Sequence, residues 1–306
     1  MPPGKCRLLI VVDDLFFSEE KALKQTASKQ LCAILFEAYG DVRYEIEPTS
    51  FKGYSIRRDR PACLIQLTFP QKINEAMRSH LPELINGGDV KLPAGKALQK
   101  LAEGMVLATP RPGKLAAAQM RTQQLIGSLK FIELLHPRIA LILHHLWCVM
   151  SNPPPEAYDI ARAALASVYG ERFVGITYGG AGLAGSQRLS GAIASHIDMS
   201  EPAGLDLENA DASWGDRNLY GIVLLYGGGA VLHQCKKVGL TVDCTVEVEA
   251  VATGKANEVV TYAREMGRAI GAPCHGPTLI GTDNLANLSI GSGKGTPLRS
   301  KHFLRR

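Results

Sequence analysis

Two groups of acidic residues have the types and spacing for phosphoryl chemistry. The first is Asp13-Asp14, set between the runs Arg7-Leu8-Leu9-Ile10-Val11-Val12 and Leu15-Phe16-Phe17. Adjacent carboxylates at a turn offer hard oxygen ligands that suit Mg²⁺. Two such ions activate an attacking hydroxyl and steady a leaving oxygen at phosphorus. Aspartate is also a common turn residue, so a solvated turn accounts for the pair taken alone. The apolar flanks on both sides are what set it apart. The second group is Asp211, Glu249 and Asp283, spaced so that a strand end, a helix and a later strand end could bring them to one edge of a sheet. Carboxylates held together repel and raise one another's pKa unless a cation neutralises them. If they converge, they form a metal site or a destabilising fault.

Other candidates carry less. Gly227-Gly228-Gly229 lacks the Gly-x-x-x-x-Gly-Lys spacing of a phosphate loop and has strand-like sequence on both sides, so a hairpin turn is the expected reading. Gly291-Ser292-Gly293-Lys294-Gly295 fails the same test. His144 and His145 are adjacent, so on a helix they point in different directions and do not chelate one ion. Lys294, Arg299, Lys301 and His302 lie in a cationic tail with Arg305 and Arg306. That tail is either a contact for a nucleic-acid backbone or an exposed, frayed terminus.

The elements that must position these residues follow from periodicity. The two runs around Asp13-Asp14 read as a hairpin with acids at its tip. A hairpin cannot bury itself and needs neighbouring strands, which suggests a chain cut from a longer one. Glu19 to Tyr39 reads as a helix closed by Gly40, followed by strands at Tyr44–Ile46, Tyr54–Ile56 and Cys63–Leu67. Gln71 to Leu84 reads as a helix and the Pro-, Gly- and Lys-rich stretch from Lys91 to Lys114 as loop. Gln123 to Met150 predicts two helices broken at His136-Pro137. After Pro153-Pro154-Pro155 an amphipathic helix places Ala157, Ile160, Ala161, Ala164, Leu165 and Val168 on one face. Gly179 to Gly182 and Gly185-Ser186 read as a connection, with a domain boundary between about Gly179 and Pro202. Strands are then expected at Leu205–Ala212, Leu219–Tyr226 and Ala230–Lys236, a helix from Thr245 to Ile270, a strand at Thr278–Thr282, and a short helix beyond. That order suits a mixed sheet with helices packed on it.

Bulk properties bound the answer loosely. At 306 residues, the chain has room for about two domains. The net charge of +5 permits a polyanionic partner without demanding one. Seven cysteines, with no Cys-x-x-Cys spacing, argue against a structural zinc site or a disulfide framework and for a reducing, intracellular compartment. No signal peptide is evident. The most apolar run, Ile139 to Met150, is too short for a membrane span and reads as a buried helix.

Several segments together resemble copia-type retrotransposon Pol polyproteins. Val11-Val12-Asp13-Asp14-Leu15 resembles the Tyr-Val-Asp-Asp-Leu turn of the reverse transcriptase, with Val11 in place of Tyr. Phe51-Lys52-Gly53-Tyr54-Ser55-Ile56 is similar to Phe-Leu-Gly-Ile-Glu-Ile, and Ile126-Gly127-Ser128-Leu129-Lys130-Phe131 to Val-Gly-Ser-Leu-Leu-Tyr. His136-Pro137-Arg138-Ile139 resembles Arg-Pro-Asp-Ile, and Met150-Ser151-Asn152-Pro153 the Met-x-x-Pro after it. In the last third, Asp211-Ala212-Ser213-Trp214 resembles Asp-Ala-Asp-Trp, and Tyr220-Gly221 with Gly227-Gly228-Gly229 loosely follows Gly-Tyr-x-Phe-x-x-Gly-Gly. Thr245 to Glu249 resembles Ser-Thr-Glu-Ala-Glu, Thr282-Asp283-Asn284 resembles Cys-Asp-Asn, and Arg299-Ser300-Lys301-His302 resembles Arg-Thr-Lys-His. The matches come in the family's order across nearly the whole chain.

The resemblance implies an α+β or α/β chain in three parts. These are a partial reverse-transcriptase palm over residues 1–120, a helical thumb or connection and linker over 121–200, and a ribonuclease H-like mixed sheet with helices over 201–306. It implies that Asp13 and Asp14 are two of three polymerase metal carboxylates. It also implies that Asp211, Glu249 and Asp283 ligate Mg²⁺ or Mn²⁺ and cut the RNA strand of an RNA–DNA hybrid. The third polymerase acid and the fingers have no counterpart here, so polymerase activity is not expected. The family's Lys-His-Ile-Asp reads Lys301-His302-Phe303-Leu304, putting Leu304 where a fourth ribonuclease acid stands. Its loss should cost at least about 10–100-fold, the range seen for outer-shell losses around a metal. Two readings stay open: a hybrid-cleaving enzyme, and an inactive retroelement remnant or non-enzymatic nucleic-acid-binding module.

Overall fold

The computed structural model describes residues 6–11, 14–19, 26–40, 45, 47–86, 92–105, 117–179, 194–198, 219–238, 245–269, 278–282, 289 and 292. The chain mixes helices and largely antiparallel sheets and divides into two compact units, Met1–Thr49 and Ser50–Arg306.

In the first unit, β1 (Cys6–Val11) pairs antiparallel with β2 (Asp14–Glu19), from Cys6 opposite Glu19 to Val11 opposite Asp14. This is the expected hairpin, and the Val-, Ile- and Phe-rich runs suit it. Helix α1 (Thr26–Tyr39) follows, closed by Gly40 at φ +82°. The helix expected from Glu19 thus starts later, because Ser18 and Glu19 are taken up in the ladder opposite Arg7 and Cys6. Among the strands expected next, Tyr44 and Ile46 lie outside the described residues.

The second unit is built on a helical core backed by a sheet. Strands β3 (Ser50–Phe51), β4 (Tyr54–Asp59), β5 (Leu64–Thr68) and β6 (Ile176–Gly179) form an antiparallel sheet in that order. Strand β6 comes from far along the chain to set Ile176 opposite Leu67. Gly179, expected in a connection, therefore ends a strand, a pairing that no local pattern announces. Helix α2 (Pro70–His80) starts on a proline, which suits the first helical position. A second proline, Pro82, divides the helix expected to run to Leu84, so that α3 (Pro82–Ile85) is separate. Helix α4 (Gly95–Glu103) occupies what reads as loop. Its Leu98 and Ala102 are buried, so tertiary packing overrides a Gly- and Lys-rich composition.

Helix α5 (Ala117–Glu133), a 3-10 turn at Pro137–Ile139 and α6 (Ala140–Cys148) give the expected break at His136-Pro137. Helix α7 (Glu156–Tyr169) buries the whole predicted face from Ala157 to Val168. The core runs continuously through Phe69, Ile73, Met77, Leu125, Leu129, Leu146 and Leu165. Each fully buried Leu or Ile there contributes roughly 1.5–3 kcal/mol. Arg162 ties α7 to α2 and α3, donating to the His80 carbonyl at 3.2 Å and pairing with Glu83.

A second sheet has the order β10-β7-β8-β9, from β7 (Ala194–Asp198), β8 (Leu219–Tyr226), β9 (Gly229–Lys237) and β10 (Leu279–Thr282). Helix α8 (Thr245–Ala269) packs on it through Ala252 and Ala256 against Tyr220 and Ile222, and through Val260 against Leu224. The strand expected at Leu205–Ala212 lies outside the described residues. Among the described residues, the strand next to β8 in that position is β7. No helix among them is long and apolar enough to cross a membrane.

Candidate functional site

Strand direction decides which ends of the second sheet meet. Strand β8 is antiparallel to both β7 and β9, and β10 is parallel to β7. The C-terminal ends of β7, β9 and β10 therefore share one edge. The register makes this a row: Asp198 lies opposite Gly221, Gly221 opposite Cys235, and Thr282 opposite Ile197. Asp283 follows Thr282 directly in the sequence.

Helix α8 begins at that same edge. Along α8 from Ala252 to Val260, its partners on β8 pass from Tyr220 to Leu224, and β8 runs away from the edge. Glu249 precedes Ala252 by three positions and falls on the same sheet-facing stripe. It is only 3% exposed. That burial sets Glu249 apart as the acidic residue on an otherwise apolar stripe. Of the expected trio, Glu249 thus stands at the carboxyl edge of the sheet, while Asp211 and Asp283 lie outside the described residues.

The remaining candidates divide in the same way. Asp14 heads β2 opposite Val11, whereas Asp13 lies outside the described residues, as do Lys294, Arg299, Lys301 and His302. Gly227 and Gly228, at φ +58° and +84°, form the two-residue turn between β8 and β9. Positive φ at both central residues is the mirror-image turn that matches the twist of a hairpin, so the glycine run is structural. Its tip is held by the Gly179 amide, which donates to the Gly227 carbonyl at 2.7 Å.

A polar cluster that sequence reading missed joins α5 and α6 to β9. Glu133, at 4% exposed, accepts from Lys130 Nζ at 2.6 Å and faces His233 Nε2 at 3.4 Å. Burial alone would raise its pKa. Hydrogen bonds from His233 and Lys130 outweigh that and hold the carboxyl below its ordinary value. Nearby, His144 Nε2 lies 3.7 Å from Cys148 Sγ. Burial, with His145 and Lys237 adding repulsion, pushes His144 down to about 4. Burial and the Glu133 and Cys148 charges push Cys235 up to about 11. A thiol held protonated is a poor nucleophile and a poor metal ligand. Sequence signals for this cluster were absent, because its members sit on separate elements at unremarkable spacings. A cavity of about 180 Å³ beside it is lined by Pro137, Leu141, Gly221, His233 and Cys235.

Among the described residues, no group of three His, Cys, Asp or Glu side chains is arranged to hold a metal ion. Comparison with protein-family models, curated proteins and solved structures finds no match to this chain.

Proposed function

We propose that the chain derives from the reverse transcriptase–ribonuclease H part of a copia-type Pol polyprotein, and that its activity is metal-dependent cleavage of the RNA strand in RNA–DNA hybrids. One observation carries this reading. An antiparallel run of three strands is followed by a helix and a strand that returns parallel to the first, and buried Glu249 stands where the carboxyl ends of β7 and β10 meet the start of α8. In this reading Asp211 and Asp283 act together with Glu249 at one site.

The proposed donor set is all carboxylate, the hard-oxygen type that suits Mg²⁺ or Mn²⁺. The Glu249 side chain is of that chemical type, and its helix holds it at the carboxyl edge of the sheet. Such an ion, when bound, supplies charge neutralisation at the scissile phosphate. The chain's own part is to hold Glu249 on a rigid helix against the sheet, with Ala252 and Ala256 letting that helix approach closely. The first hairpin carries Asp13 and Asp14 as a mark of ancestry and does no chemistry in this reading.

Hybrid cleavage with Mg²⁺ or Mn²⁺ tests the proposal. Glu249→Gln and Asp211→Asn should each lower turnover by more than about 100-fold, above the range for outer-shell losses. Absence of cleavage, or cleavage indifferent to both substitutions, would sink it. Leu304 in place of the fourth acid favours a second reading, a module that binds hybrid without cutting it. Salt-sensitive binding with no turnover would establish that reading instead.

A further inference from the structure

Strands β7 to β10 contain just two lysines or arginines, Lys236 and Lys237, and both stand at one end of one strand. That strand, β9, is at the edge of its sheet and runs in the direction of β7 and β10. Its last residues therefore reach the edge where Asp198 and Thr282 end their strands. Lys236 is exposed and lies opposite Tyr220. Paired residues share a face of the sheet, and Tyr220 packs with Ala252 and Ala256 of α8. Lys236 thus belongs to the face that Glu249 occupies. Lys237 alternates to the other face, where its charge acts on His144, His145 and Cys148.

The cations of α8 are committed elsewhere. Lys255 pairs with Glu258, Arg268 with Glu265, and Arg264 donates to Thr278 Oγ1 at 2.9 Å. Among the described residues, no carboxylate pairs with Lys236. Adjacent strands lie about 4.8 Å apart, so β9 is about 10 Å from β7 across the sheet. A nucleic-acid strand carries a charge about every 3.4 Å of axis. A backbone whose scissile phosphate lies at the carboxylate edge therefore brings a phosphate about three nucleotides away to Lys236.

We propose that Lys236 is a phosphate-contact residue that holds the nucleic-acid backbone on the Glu249 face of the sheet. This rests on the ribonuclease reading above, and it places a cation beside the site independently of the C-terminal tail. The test is equilibrium binding of the full chain to a fluorescent RNA–DNA hybrid in chelator, from about 50 to about 200 mM salt. Lys236→Ala should reduce the slope of log affinity against log salt by about 0.9, equivalent to about eightfold weaker binding near 0.1 M. Lys236→Glu should weaken binding further. Lys96→Ala, removing an exposed lysine of α4, should leave the slope unchanged. A Lys236→Ala slope equal to that of the unaltered chain, an equal drop for Lys96→Ala, or hybrid binding without salt dependence would each overturn the proposal. Cleavage in Mg²⁺ separates the two ideas. If Glu249→Gln abolishes cleavage while Lys236→Ala keeps the full slope, the contact is wrong and the ribonuclease reading stands. If Lys236→Ala lowers the slope while cleavage is absent or indifferent to Glu249→Gln, the contact stands and the ribonuclease reading fails.

Discussion

Helices α1 and α7 are both 14 residues long, and both carry enough apolar side chains to form a buried face. They end in opposite states. Helix α7 buries seven residues, with Ala157, Ala161, Leu165 and Val168 fully so. Helix α1 buries none, and Ile34, Phe36 and Tyr39 are 62%, 62% and 80% exposed. The difference lies in what surrounds them. Helix α7 has α2, α4, α5 and α6 around it, whereas among the described residues of the first unit α1 has a two-stranded hairpin beside it. Amphipathic sequence is a capacity for burial, and neighbours convert it into stability.

The largest expected effect breaks the comparison on the α7 side. Leu165→Ala removes a fully buried side chain from the middle of the core and should destabilise the second unit by about 3–5 kcal/mol. Denaturant unfolding of the chain measures it, and a loss under about 1 kcal/mol would mean that the site collapses around the smaller residue.

Next in size is the joint between the helical core and the second sheet. Glu133→Ala should cost about 2 kcal/mol, below the usual range for a broken buried pair, because Lys130 is half exposed and regains water. His233→Ala should cost less, since Glu133 keeps Lys130. Equal losses for the two variants would show that His233 carries the joint.

A third expectation concerns acid. Burial is the main cause that holds the pKa values of His80, His136, His144 and His145 below the ordinary value of 6.5, with His144 at about 4. Between 6.5 and those lowered values the unfolded chain binds protons that the folded chain refuses, so stability falls as the pH drops through that window. Glu133, with its pKa lowered by folding, adds a further loss at still lower pH as it becomes protonated. Melting temperatures measured from pH 7 down to about 4 should decline steadily, and a flat profile would contradict the burial of these histidines.

The smallest effect sharpens the comparison on the α1 side. Ile34→Ala should change stability by no more than about 0.5 kcal/mol, as for exposed positions generally. A larger loss would reveal a partner for that face.

Much of the fold was legible because its signals are local. The α7 stripe, the His136-Pro137 break, the Gly227-Gly228 turn and the length of α8 all follow from residue spacing or from the conformations that Pro and Gly favour. The failures share a different cause. Helix α4 hid in a Gly- and Lys-rich stretch because burial of Leu98 and Ala102 stabilises it. Strand β6 hid because its partner β5 is more than a hundred residues away in sequence. In the candidate site, Glu249 was legible as a helix residue near α8's start, but its burial at the carboxyl edge depends on the order and direction of four strands.

By itself the sequence determined which residues could do chemistry and which local elements would carry them. Residue type sets ligand chemistry, and spacing sets the periodicity of helix and strand. Only the tertiary structure decided that β10 lies parallel beside β7, that Glu133 meets His233, and that Lys236 shares a face with Glu249. These juxtapositions join residues distant in sequence. Their free energy comes from excluding water between whole elements, a quantity that no short stretch of chain contains.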